Sequence, residues 1–134
     1  MLRWREPRRD HRQLAWLWFA AALSAPLLAG AWLRLGLPYP GCTFHHITGL
    51  PCPTCGAGRA VATALAGHPL RSFRWNPLVT AAIALFEAGG LAAPVWLAAG
   101  GKVPALEGGL PRWLRWVVLA AILINWLYLV FTGV

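Results

Sequence analysis

The chain has 134 residues, of which 58% are hydrophobic and 12% charged, and its formal net charge is +8. Its mean hydropathy is +0.55, and the apolar residues come in long blocks. A chain this small cannot hide so much apolar surface in one water-soluble core, whereas a bilayer requires no such burial. The basic residues flank the apolar blocks, where topology and anionic headgroups account for them, which sets nucleic-acid binding aside.

Residues 1–12, MLRWREPRRDHR, hold five arginines against Glu6 and Asp10. They read as a basic cytoplasmic arm, with Trp4 at headgroup level. The stretch 13–34 carries no charge before Arg34 and has the ~20 apolar residues a spanning helix needs. Pro26 removes one backbone bond and predicts a kink, and Ser24 is placed to bridge the freed group. No small-x-small cleavage site follows, so a cleaved signal peptide is not expected.

Gly36 to Pro40 ends this helix, and a Cys/His loop follows. The spacing predicts a short helix from Pro53 to Ala66, with proline at its first position and Gly67 just past its end. It is too short to span a bilayer and reads as interfacial or re-entrant. His68 to Trp75 is a basic, aromatic surface segment. Asn76-Pro77 then pairs an N-cap residue with proline at the first helical position. The second span is read over 77–97 and the third over 112–134, joined by a short loop with Lys102 and Glu107. The fold class is therefore an all-α integral membrane protein with three spanning helices and one short helix after the CPTC turn. Residues 1–12 are the arm, residues 13–134 one membrane domain, and the loop with its short helix occupies 36–76.

The chain has three cysteines, Cys42, Cys52 and Cys55, an odd number at local spacing. The order C-x2-H-H-x5-C-x2-C gathers Cys42, His45, His46, Cys52 and Cys55. Three thiols with one imidazole are a known structural-zinc set, whereas three cysteines fall short of the usual iron–sulfur ligation. The same Cys52/Cys55 pair has the form of a redox dithiol, with Cys42 as a third exchanging thiol. A purely structural disulfide is the remaining use. If the helix starts at Pro53, Cys52 caps it and Arg59 shares a face with Cys55, which favours a thiolate. Glu87, Ser24 and Asn125 each count to the middle of a span. They form either interhelical hydrogen bonds or a proton or ion relay.

The string Gly49-Leu50-Pro51-Cys52-Pro53-Thr54-Cys55-Gly56, then Arg59-Ala60 and Trp75-Asn76-Pro77, resembles a bacterial family of small integral-membrane proteins of unknown function. That family's pattern is an upstream Cys, G-[IL]-P-C-P-x-C-G-x-[TS]-R-A and a later aromatic-N-P. The likeness covers residues 41–90, and Gly58 stands where the family carries a hydroxyl. It implies a membrane protein with a Cys-rich outer or interfacial loop and implies no particular activity.

The residues favour a non-enzymatic accessory or interaction subunit, its Cys/His loop a structural or zinc-binding clip. The alternatives are a membrane thiol–disulfide oxidoreductase using Cys52 and Cys55, and a small transporter or channel subunit using Glu87. The expected setting is the bacterial cytoplasmic membrane, with the amino terminus inside and the Cys loop outside. The expected partners are the bilayer and another membrane protein.

Overall fold

The computed structural model describes residues 2–38, 41–106 and 111–133. The side chains of Leu2–Arg5, Ala105 and Leu106 are outside that description, so the expectation for Trp4 is not addressed by it; Tyr39, Pro40, Glu107 and Val134 also lie outside the described residues.

The elements in chain order are strand β1 (Leu2–Arg5), helices α1 (Arg9–Arg34), α2 (Thr43–Thr48), α3 (Ala57–Leu65), α4 (Pro69–Ser72) and α5 (Pro77–Ala98), strand β2 (Val103–Leu106) and helix α6 (Arg112–Thr132). Helices α1, α5 and α6 are long and apolar enough to cross a membrane, and only 11% of the apolar window of each is buried inside the protein. The rest of that surface needs an apolar solvent, which is the membrane reading of the composition.

The sequence misplaces several elements. Helix α1 starts at Arg9 rather than Gln13: Asp10 stands in its first turn, where the helix dipole favours an acid, and the Arg8 N–H donates to His11 Nδ1 at 3.0 Å. It continues through Pro26. The Ser24 hydroxyl donates to the Ala21 carbonyl at 3.2 Å, not to the Ala22 carbonyl that the proline leaves without its helical N–H. The chain is not purely helical either. The arm pairs antiparallel with β2, Leu2 opposite Leu106 and Arg5 opposite Val103. Charged and apolar residues alternate over Leu2–Arg5, a strand period that the arginine count obscures. The ribbon ties the arm to the segment after α5.

Helices α1 and α5 pack closely at small residues. Ala22 and Gly90 are both buried, and a Cβ built on Gly90 would lie 2.6 Å from the Ala22 Cβ. On Gly89 it would lie 2.4 Å from the Trp18 ring, which also stands against Phe86 with ring centroids 6.0 Å apart. Without a solvent-driven hydrophobic force between helices in lipid, this close approach supplies the packing energy. Helix α6 joins the bundle at the opposite end from the ribbon, through hydrogen bonds at Asn125, Trp126 and Tyr128.

Candidate functional site

The CPTC segment is a turn, not a helix start. The Cys55 N–H donates to the Cys52 carbonyl at 2.9 Å, and α3 begins only at Ala57, after Gly56 at φ +78°. Glycine is needed there because a left-handed φ carries a Cβ penalty for other residues. Gly49 at φ +72° closes α2 in the same way. Cys52 is therefore not a helix cap, the N-cap of α3 being Gly56. Two left-handed glycines instead bracket a rigid loop rich in proline.

Three carbonyls of this loop are held by side chains at the N-cap of α5 and within α6. Asn76 Nδ2 donates to the carbonyls of Pro53 and Cys55, each at 2.9 Å. Asn125 Nδ2 donates to the same Pro53 carbonyl at 3.1 Å, and Trp126 Nε1 donates to that of Pro51 at 2.7 Å. The two amides also bind α5: Asn76 Oδ1 accepts from the Val79 N–H and Asn125 Oδ1 from the Leu78 N–H, both at 3.0 Å. Both asparagines are buried, Asn76 completely. A buried amide with every group met fixes its neighbours, since each alternative leaves a polar group unpaired.

The clamp brings the three sulfurs together. The Sγ atoms of Cys42, Cys52 and Cys55 all lie within 4.8 Å of one another, and all three thiols are free. Cys42 Sγ donates to Cys52 Sγ at 3.2 Å. The Cys52 N–H donates to Cys55 Sγ at 3.1 Å, and Thr54 Oγ1 is 3.2 Å from Cys52 Sγ.

This geometry makes the thiols unequal. Burial pushes Cys52 up, but its hydrogen bonds with Thr54, Cys42 and Cys55 outweigh that and bring it down from 9.0 to about 7. Burial pushes Cys55 up to about 11; the Cys52 N–H opposes this, while the Cys52 and Cys42 thiols and the Cys52 charge add to it. In metal-free protein, iodoacetamide labelling of Cys52 is expected to rise through pH 7, while Cys55 resists until the solution is strongly alkaline. Residue-resolved mass spectrometry checks this, and equal pH profiles would contradict it.

His45 and His46 lie on α2, both exposed. With Gly41, Cys42 and Thr43 they line an open depression of about 490 Å³. The structure does not bring them into the sulfur group, whose members among the described residues are the cysteines alone.

Arg59 does not turn to the sulfurs. Its guanidinium lies over the Trp75 ring, 5.1 Å from the centroid, and Trp75 Nε1 donates to Thr63 Oγ1 at 3.0 Å. Trp75 thereby ties α3 to the linker before α5.

The polar trio expected at mid-span does not assemble. Asn125 pairs with Leu78 at the start of α5. Glu87 is nine residues further along α5, roughly 14 Å by helix rise, and is half-buried. Ser24 bonds within its own helix. Counting depth from each helix end misleads here, because α5 begins level with the interior of α6.

The part played by Trp126 and Thr54, and the second task of Asn76, are not evident from the sequence. The available signal is an Asn-Trp pair in an otherwise apolar span, since a polar side chain there must find a partner.

No curated protein and no solved structure matches the chain. Residues 42–89, from the first cysteine of the cluster to the glycine packed on Trp18, match the family described as a protein of unknown function (DUF2752), and the chain is similar to that family over this stretch.

Proposed function

We propose that the protein is a small membrane subunit whose Cys42, Cys52 and Cys55 bind one thiophilic ion of the zinc class as thiolates. The observation that carries this reading is the convergence of three sulfurs within 4.8 Å, Cys42 at the start of α2 and the other two on a turn held by side chains at the start of α5 and within α6. Zinc–sulfur bonds of about 2.3 Å place ligand sulfurs about 3.8–4.0 Å apart, so a metal would spread the Cys42–Cys52 pair slightly from its 3.2 Å. The fourth position falls to His45 or His46 after a movement of α2, or to solvent. The ion would join the loop to α5 and α6 and so act as a clip. Asn125 stands seven residues before the end of α6, roughly 10 Å by helix rise, which supports a loop that re-enters the bilayer. The dense arginine arm, with Lys102, Arg112 and Arg115 at the same end, supports an inside amino terminus and an outside Cys loop in a bacterial cytoplasmic membrane, against Arg59, Arg71 and Arg74 at the Cys end.

The test is metal content. Protein purified without chelator is expected to hold about one zinc per chain, and Cys52→Ser to lose it, because a two-thiol remnant binds far more weakly. No zinc or other thiophilic metal in the wild-type protein would refute the reading.

The 3.2 Å approach of Cys42 and Cys52 favours a second reading, thiol–disulfide exchange. Cys52 thiolate would attack a partner's disulfide, one partner sulfur leaving as thiolate. Cys42 would then lose its proton to that thiolate and displace the other sulfur. The partner leaves as a dithiol and a Cys42–Cys52 disulfide remains. This pairing differs from the Cys52/Cys55 dithiol that the spacing suggests. Cys42→Ser would trap the mixed disulfide; trapping by Cys55→Ser instead would overturn the assignment.

A further inference from the structure

A groove of about 200 Å³ opens between the first turns of α1 and the last turn of α5, lined by Arg12, Ala15, Trp16, Pro94, Leu97 and Ala98. It lies at the ribbon end, away from the cysteines. Its polarity is graded, with Arg12 its one charged residue and an apolar remainder. The chain from Gln13 to Leu33 carries no charge, and its apolar body spans about 30 Å as a helix, the thickness of the hydrocarbon. Arg12 therefore stands at headgroup level, and the groove continues inward from it.

The surroundings are cationic. Arg9 lies one turn before Arg12 on the same face, and Arg8, Arg9 and Arg12 are all exposed. Among the described acids at this end, Glu6 faces Lys102 at 3.6 Å, and Asp10 is two positions from Arg12 and hence on the opposite side of α1.

We propose that this groove binds an anionic phospholipid, with the phosphodiester on Arg12 and Arg9 and the start of an acyl chain along Trp16, Pro94 and Leu97. A zwitterionic lipid offers the same phosphate but brings a cation against the three arginines, which sets the preference. Free phosphate has no chain to fill the apolar part. The proposal rests on reading α1 and α5 as membrane spans.

The experiment is native mass spectrometry of the whole chain in detergent, titrated separately with phosphatidylglycerol, phosphatidylcholine and inorganic phosphate. Phosphatidylglycerol is expected to be retained preferentially and inorganic phosphate not at all. Arg12→Gln is expected to lower phosphatidylglycerol retention about fivefold, while Arg71→Gln at the other end leaves it unchanged. Trp16→Ala should weaken retention of both lipids. Equal retention of the two lipids overturns the proposal, as does a preference that Arg12→Gln leaves intact. Release of the protein from membranes by alkaline carbonate overturns the membrane reading itself and the proposal with it.

Discussion

Replacing Asn76 with alanine is expected to loosen the cysteine end of the molecule and destabilise it by about 3 kcal/mol. The side chain is completely buried and serves three groups: the Pro53 and Cys55 carbonyls and the Val79 N–H. Pro53 keeps Asn125 as a donor, so the uncompensated losses are the Cys55 carbonyl and the N-cap of α5. An N-cap alone is worth about 1 kcal/mol, and a buried carbonyl without a partner costs about 1–3 kcal/mol. Two further variants separate these contributions. Asn76→Ser keeps a capping oxygen but is too short to reach the loop, so it should recover about a third of the loss. Asn76→Asp keeps the cap but sets a carboxylate against two carbonyls, and should be at least as damaging as alanine. Thermal unfolding in detergent reads the stability, and alkylation of Cys52 and Cys55 reads the loop. A serine variant indistinguishable from wild type would reduce Asn76 to an ordinary helix cap.

Gly90→Val is expected to separate α1 from α5, with a destabilisation of about 1–3 kcal/mol. The added Cβ would lie 2.6 Å from the Ala22 Cβ and 3.1 Å from the Trp18 carbonyl. The first contact is with a buried methyl and the second with backbone, so neither can swing aside; the Trp18 ring, also at 3.1 Å, can. Gly89 offers the contrast. A Cβ there meets the Trp18 ring at 2.4 Å, a side chain that is itself 38% exposed and has room to rotate. Gly89→Ala should therefore cost less than Gly90→Ala, and Trp18→Ala should relieve the former but only a small part of the latter, because the Ala22 methyl at 2.6 Å remains. Double-mutant cycles on thermal midpoints check this. Additive effects for Gly89 and Trp18 would contradict the close approach.

The three long apolar helices were legible because length and absence of charge are properties of the chain itself. Each apolar block from the sequence is a helix to within a few residues, and Asn76-Pro77 marks the start of α5. The ribbon was not legible, since pairing Leu2–Arg5 with Val103–Leu106 joins segments about a hundred residues apart. The meeting of Cys42 with Cys52 and Cys55 follows from local spacing. The clamp does not, because it depends on α6 crossing the loop at Asn125 and Trp126. The same fact undid the mid-span trio: residue counting supplies depth only when helices start level. Pro53 failed as a helix start because Gly56, three residues later, takes a left-handed conformation that ends the turn. Arg59 failed as a thiol neighbour because its guanidinium is taken by the Trp75 ring face.

The central claim is that three sulfurs form one metal site, and X-ray absorption at the zinc edge of the zinc-loaded protein addresses it directly. The account predicts three sulfur neighbours at about 2.3 Å with one lighter neighbour, falling to two sulfurs in Cys42→Ser. A first shell of nitrogen and oxygen alone, or a sulfur count unchanged by Cys42→Ser, would contradict it.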